Sequence, residues 1–257
     1  MDLGLTGKRA LVLGASRGLG AAIAKGLAAE GAEVWAGART RERIEAYAAE
    51  SAGTIHAEAL DVSDLAALDA LTDRLLADGG VDILVNNTGG PPPATASQTT
   101  RDQWVTNFST MAANVIHLST RLLAPMRERG WGRIITVTSS GIEQPIPNLA
   151  LSNGIRSALL GWSKSLSLEV AEDGVTANII MPGRIQTDRI TELDDVAAKR
   201  LGVTREEAAA KSAAAIPAGR YGTPEEFAAM AVFLASQQAS YVTGSKIRID
   251  GGLVAGV

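Results

Sequence analysis

Two short stretches carry residue types able to do chemistry. The first is Gly14-Ala15-Ser16-Arg17-Gly18-Leu19-Gly20, which follows an apolar run and opens a helix-patterned segment. Glycines at such a junction let backbone amides approach a phosphate at the positive end of a helix. Their spacing, G-x-x-x-G-x-G, is neither the common dinucleotide pattern G-x-G-x-x-G nor a P-loop, and a tight structural turn would use the same glycines. The second stretch is "ALSNGIRSALLGWSKSL", residues 150–166, in which Ser152 and Arg156 stand four apart. That spacing is about one helical turn, so a hydroxyl and a guanidinium share one face. A serine hydroxyl hydrogen-bonds a carbonyl but is a poor proton donor, whereas an arginine positions and polarises without shedding its proton.

Elements of one particular kind would hold these groups. Apolar runs at 9–14, 33–37, 54–60, 82–87, 133–139, 176–183 and 246–252 alternate with helix-patterned segments at 18–30, 63–77, 104–129 and 153–172. Strands that are apolar throughout bury both faces, so the alternation predicts an α/β fold: a doubly wound parallel sheet with helices on both sides, forming a single domain over 1–257. The charged, Ala-rich segment 184–223 breaks the rhythm after a strand's carboxyl end. A substrate lid is expected there, with a plain surface hairpin of helices as the alternative.

Charge and composition narrow the partners. Lys and Arg number 24 against 28 Asp and Glu, for a net charge of −4 with no basic run. That excludes an electrostatic footprint for nucleic acid and points to a small-molecule substrate. With no cysteine, disulfides, thiolate metal sites and a cysteine nucleophile are excluded, and no metal is expected. No apolar run reaches membrane-spanning length, and the first residues lack a secretory pattern, so a cytoplasmic protein without a membrane partner is expected.

Further positions make the pattern specific. Asp61-Val62 follows the third strand, Asn86-Asn87-Thr88-Gly89 the fourth, Ser139 the fifth, and Pro182-Gly183 with Thr187 the sixth, while "YVTGSKIRIDGG" lies near the end. In this order and spacing the set resembles the short-chain dehydrogenase/reductase family, in particular its 3-oxoacyl-carrier-protein-reductase-like members, from about Leu5 to Gly252. The resemblance implies a Rossmann-type fold and an NAD(P)(H)-dependent oxidoreductase acting on a carbonyl or alcohol. It places Gly14, Ser16, Arg17, Gly18, Leu19 and Gly20 at the dinucleotide and Asp61 and Val62 at the adenine. Asn87 and Gly89 fall at the ribose region, and Ile185 and Thr187 at the nicotinamide amide, beside Pro182 and Gly183. It also implies a homo-oligomer, dimer or tetramer, through 104–129, 153–172 and the last strand; Leu159, Leu160 and Trp162 suit such an interface or the core equally.

At the end of the second strand, Ala38 stands where a carboxylate would accept both ribose hydroxyls of NAD(H). Arg39, joined by Arg17, can instead make charge-assisted bonds to a 2′-phosphate, so NADP(H) is favoured over NAD(H). Two solvated arginines at a promiscuous site are the alternative.

The catalytic helix departs from the family. The family's tyrosine position falls on Ser152, its lysine on Arg156 and its helper asparagine on Met111; only the serine, Ser139, remains. The expectation is an oxidoreductase with altered proton delivery, in which Ser139, Ser152 and Arg156 polarise a carbonyl while water supplies the proton; Arg156 is also a cofactor-binding candidate, able to bond the nicotinamide ribose hydroxyls or a substrate anion. The alternatives are a catalytically inactive dinucleotide-binding sensor or partner subunit and, third, a non-redox dehydration or isomerisation. Among substitute donors, Tyr47 and Tyr241 have no evident reason to reach the crevice, and Tyr221, after the lid, is the nearest candidate. His56 and His117 read as structural. Asn107 and Asn114 flank Met111 as stand-ins or as ordinary helix contacts. Arg184, at the crevice mouth, would join Arg156 and Arg189 in a carboxylate- or phosphate-binding cluster for an anionic substrate. The alternative is a lid arginine paired with Asp188 or Glu192.

Overall fold

The computed structural model describes residues 1–256; Val257, the last residue of the expected domain, lies outside them. Seven strands form the sheet: β1 (Arg9–Leu13), β2 (Glu33–Ala38), β3 (Ile55–Ala59), β4 (Ile83–Asn86), β5 (Gly132–Val137), β6 (Val175–Pro182) and β7 (Lys246–Ile249). Around it lie α1 (Gly18–Ala29), α2 (Arg41–Ala48), α3 (Leu65–Ala77), α4 (Arg101–Phe108), α5 (Asn114–Glu128), α6 (Ala150–Val170), α7 (Asp188–Leu201), α8 (Arg205–Ala214) and α9 (Pro224–Ala235).

Continuous apolar strands explain the layering. Ala10 and Val12 of β1 and Ile83 and Val85 of β4 enter one core with Ile23, Leu27 and Phe227 from α1 and α9. Leu11, Leu13 and Leu84 enter the opposite core with Leu68, Leu118 and Leu122 from α3 and α5, because successive side chains of a strand point to opposite faces. Each fully buried leucine contributes roughly 1.5–3 kcal/mol, so both layers clamp the strands and hold the loops at their ends. All pairings are parallel, in the order β3-β2-β1-β4-β5-β6-β7, as the doubly wound reading expects. The order reverses between β1 and β4, and the ligand crevice of such a sheet opens there, beyond the carboxyl ends.

Two expected helices need correction. The one expected over 104–129 is α4, a π-helical turn Ser109–Ala113, and α5. The widened turn carries Met111 and Ala112 into a third apolar cluster with Val115, Leu151, Ile155 and Leu159. One residue more per turn is invisible in three- and four-residue spacing. The helix expected from 153 begins at Ala150, which puts Ser152 in its first turn. The charged segment becomes the hairpin α7–α8 leading into α9, and Thr204–Glu207 and Thr223–Glu226 capping boxes start the last two helices. No described helix is long and apolar enough to cross a membrane.

Candidate active site

The glycine loop is built so that no side chain fits inside it. A Cβ at Gly14, whose φ is +61°, would lie 2.5 Å from the Asn87 carbonyl oxygen, and one at Gly20 would lie 2.3 Å from that of Gly14. Only glycine tolerates both the conformation and the approach. Asn87 Nδ2 donates to the carbonyls of Leu13 at 3.2 Å and Gly14 at 3.3 Å, tying the loop to the end of β4. Tyr47, on α2, donates its hydroxyl to the Ala15 carbonyl at 2.9 Å, and burial pushes the phenol up, so it stays protonated. The sequence reading placed Tyr47 away from the crevice; its partner is a backbone carbonyl, which no motif reports.

Ser16 and Leu19 are half-buried in this loop. The first turn of α1 has no side-chain cap, leaving its amides and the helix's positive end for an anion. Ala38 is buried at the end of β2 and Arg39 is exposed beyond it. The Ser63 amide and hydroxyl, with a smaller contribution from Arg39, hold the Asp61 carboxyl below the usual carboxylate range. Val62 packs on the apolar layer, while Gly89 faces open space. On the far side, the Gly183 amide donates to Ile249 at 2.9 Å, Ile185 is buried and pairs with Gly222, and Pro182 ends β6. Thr187 Oγ1 donates to the Ile185 carbonyl at 3.3 Å. A cradle that any Cβ would fill, an uncapped helix start and an alanine in the acidic position fit a dinucleotide.

The reacting face lies at the carboxyl edge of β4 and β5. Ser139 Oγ accepts the Gly141 amide at 3.0 Å, which leaves its own proton free to donate. Ser152 is buried on α6, and its hydroxyl has no hydrogen-bond partner among the described residues. Arg156 is 7% exposed; Nη1 donates to the Val137 carbonyl at 2.8 Å and Nη2 to that of Thr88 at 3.1 Å. No carboxylate pairs with it among the described residues. Burial pushes its pKa down to about 10, so it is cationic at neutral pH.

Several expected assemblies do not form. Arg17 is engaged by carboxylates: its Nη1 pairs with Asp188 at 2.8 Å and its Nη2 with Glu192 at 3.6 Å, linking the glycine loop to α7. The Arg156–Arg184–Arg189 cluster is absent, because Arg184 pairs with Asp194 at 3.3 Å and Arg189 with Glu192 at 3.3 Å. Arg184 thus takes neither Asp188 nor Glu192. Tyr221 donates to both oxygens of Asp194 at 3.0 Å, and burial is the main cause that raises its pKa. Tyr221 and Asp194 line a cavity of about 430 Å³ beside α7 and α8 with Gln186, Thr187 and Arg205. Asp194, only 4% exposed, escaped the sequence reading; a charged lid segment gives no sign of which acid turns inward.

The remaining candidates are ordinary contacts. Asn114 Nδ2 donates to the Val62 carbonyl at 2.7 Å and Asn107 Nδ2 to that of Gln103 at 2.8 Å, so neither stands in for the asparagine. His56 pairs with Glu33 and His117 with Asp69, each at 2.7 Å; Tyr241 is fully exposed. Leu159 is core, while Trp162 packs partly against it.

Known proteins resemble this chain over nearly its whole length. A family model described as enoyl-(acyl carrier protein) reductase matches residues 14–254. The 3-oxoacyl-[acyl-carrier-protein] reductase of Escherichia coli (strain K12) is 36% identical over 250 residues, covering 96% of this chain and 97% of that protein. The structure of L-sorbose reductase from Gluconobacter frateurii, complexed with NADPH and L-sorbose, superposes with a TM-score of 0.93 at 32% identity over 100% of both chains. That of YwfH, an NADPH-dependent reductase involved in bacilysin biosynthesis, does so with a TM-score of 0.92 at 30% identity, covering 98% of this chain and 100% of that one. With its parallel sheet, glycine cradle and these likenesses, the chain belongs to the short-chain dehydrogenase/reductase family, as a 3-oxoacyl-carrier-protein-reductase-like member.

Proposed function

We propose that this protein is an NADP(H)-dependent oxidoreductase of a small carbonyl or alcohol substrate, working in the cytoplasm with altered proton delivery. The observation that carries the reading is the glycine cradle clamped by Asn87 and Tyr47, with Arg39 beside Ala38 at the end of the next strand. Gly14, Ser16, Gly18, Leu19 and Gly20 would hold the pyrophosphate, Arg39 the 2′-phosphate, Asp61 and Val62 the adenine, and Asn87 and Gly89 the ribose region. Pro182, Gly183, Ile185 and Thr187 would flank the nicotinamide. When bound, the nucleotide supplies or accepts the hydride. The NADPH held in the structure of L-sorbose reductase supports this choice of nucleotide.

The chain's own residues then orient and polarise. Ser139 and Ser152 each have a hydroxyl able to bond a carbonyl oxygen, and Arg156 adds a fixed positive charge. None of the three is a good acid near neutral pH, so the proton exchanged at the substrate oxygen comes from or goes to water. Assembly as a dimer or tetramer through α5 and α6 belongs to this reading; Leu168, 71% exposed on α6, is an apolar residue that such an interface would cover.

Fluorescence titration with NADPH and NADH, followed by a carbonyl panel read at the nicotinamide absorbance, tests the proposal. Tighter NADPH binding and turnover that falls in Ser139→Ala are expected; no binding of either nucleotide would overturn it. One observation favours a second reading, a dinucleotide-binding protein without turnover: Met111 sits in an apolar cluster where a polar relay would be needed. Tight NADPH binding without oxidation across the panel would establish that reading instead.

A further inference from the structure

Arginines of the glycine loop and of the segment after β6 are matched by carboxylates, and the buried Arg156 is not. Arg17 meets Asp188 and Glu192, Arg184 meets Asp194, Arg189 meets Glu192 and Arg205 meets Glu206. Arg156 is more deeply buried than any of these and has no acidic partner among the described residues. A guanidinium carries five N–H donors, and two carbonyls accept from this one. Its Nε and the remaining terminal hydrogens have no acceptor among the described residues. Ribose hydroxyls of a bound nucleotide can take some of these donors, but only an anion balances the buried charge.

Its surroundings define what that anion is. The Val137 and Thr88 carbonyls fix the guanidinium at the carboxyl edge of β5 and just beyond β4, two residues along the chain from Ser139. Ser152 lies one helical turn away on the same face of α6. Ser139 and Ser152 are free to donate, and no carboxylate or imidazole of the described residues pairs with any of the three. The end of β5 and one turn of α6 therefore bring together several donors and one positive charge. Lid arginines do not compete, because Asp194 and Glu192 neutralise them.

Resting on the function proposed above and deepening it, we infer that the substrate is a short oxo acid, whose carboxylate is received by Arg156 while Ser139 and Ser152 take its carbonyl oxygen. A 2- or 3-oxo acid carries both groups close enough for one turn of α6 and the end of β5 to reach them together. A bidentate guanidinium–carboxylate contact also orients the carbonyl, as a single hydroxyl does not.

The test is calorimetric and needs no turnover. The full chain, free and saturated with NADP⁺, is titrated with pyruvate, acetoacetate and phenylpyruvate, and with the methyl ester of each. At least one acid should bind about tenfold or more tightly than its ester. Arg156→Gln should bring that ratio close to one, and Arg156→Lys should restore part of it; thermal midpoints confirm that each variant is folded. Ser152→Ala should weaken acid and ester alike, leaving the ratio in place. If every ester binds as well as its acid to the wild-type protein, the inference is wrong, whatever the variants do. If NADP⁺ fails to bind while acids still outbind esters on the free protein, the inference stands and the oxidoreductase reading falls.

Discussion

Arg133 opens β5 and Arg156 reaches the far end of the same strand from α6. Both are buried, and burial pushes both down to about 10. Arg133 donates to the carbonyls of Ser236 at 3.2 Å, Gly132 at 2.8 Å and Gly174 at 3.3 Å, and its guanidinium lies 4.2 Å from the Trp131 ring. It thereby ties β5 to the segment after α9 and to the turn before β6. Arg156 has two carbonyls and no ring. The amino edge of the sheet faces no crevice, so a charge buried there is balanced by the protein itself and serves as a rivet. At the carboxyl edge the balance is left incomplete, where ligands of doubly wound sheets bind. How far each charge is compensated, more than its burial, separates the structural arginine from the one we propose to be functional.

Arg133→Met gives the largest effect. It orphans three buried carbonyls, at about 1–3 kcal/mol each, partly offset by removing a desolvated charge. A net loss of about 3 kcal/mol is expected, seen as a fall in Tm of about 6–12 °C by calorimetry, with NADPH affinity kept. An unchanged Tm would remove the rivet from the comparison.

Arg156→Met should do the reverse. We expect kcat/KM to fall about 100-fold, or about 2.7 kcal/mol, while Tm shifts by less than about 3 °C because two lost hydrogen bonds are offset by a relieved buried charge. The pH dependence sharpens this. The folded pKa of Arg156 lies below its ordinary value, so the charged form costs stability at every pH below about 10. That cost is relieved only as pH rises through about 10 toward the ordinary arginine value. Across about pH 6 to 9, both the charge and the stability difference from Arg156→Met should therefore be constant, and Arg156 should add no limb to the rate profile.

A smaller effect belongs to Tyr47. Tyr47→Phe removes one hydrogen bond to Ala15, worth about 1 kcal/mol, and should raise the Kd for NADPH about fivefold by fluorescence titration. An unaltered Kd would show that Asn87 alone holds the loop.

What could be read from the residues follows from where each constraint resides. The sheet was legible because a strand covered on both faces is apolar throughout, as Leu11, Val12 and Leu13 show. Gly14 and Gly20 were legible because a turn that excludes Cβ writes its demand into the residue type. The π-helical turn at Met111 was not, since widening one turn leaves the apolar spacing almost unchanged. Tyr47 and Arg156 act on backbone carbonyls, which every residue carries, so their partners leave no trace in composition. The Arg17–Asp188 pair joins residues 171 apart, and only the folded position of α7 brings them together.

That last pair gives the finest test, because it asks whether an exposed cation behaves like a buried one. Arg17 and Asp188 are 50% and 63% exposed at their side chains, and such pairs contribute about 0–1 kcal/mol. Asp188→Asn should free Arg17 for the nucleotide phosphates and remove a negative charge beside them. NADPH should then bind about two- to fivefold more tightly, with a smaller gain for NADH, which lacks the 2′-phosphate. Both gains should shrink as salt is raised toward about 1 M, where the screening length falls to about 3 Å. Arg156 lies in the low-dielectric interior, so the acid-over-ester ratio it supports should vary far less over the same range. If salt removed both effects equally, Arg156 would be no better shielded than a surface arginine, and the contrast between the two edges of β5 would lose its physical basis.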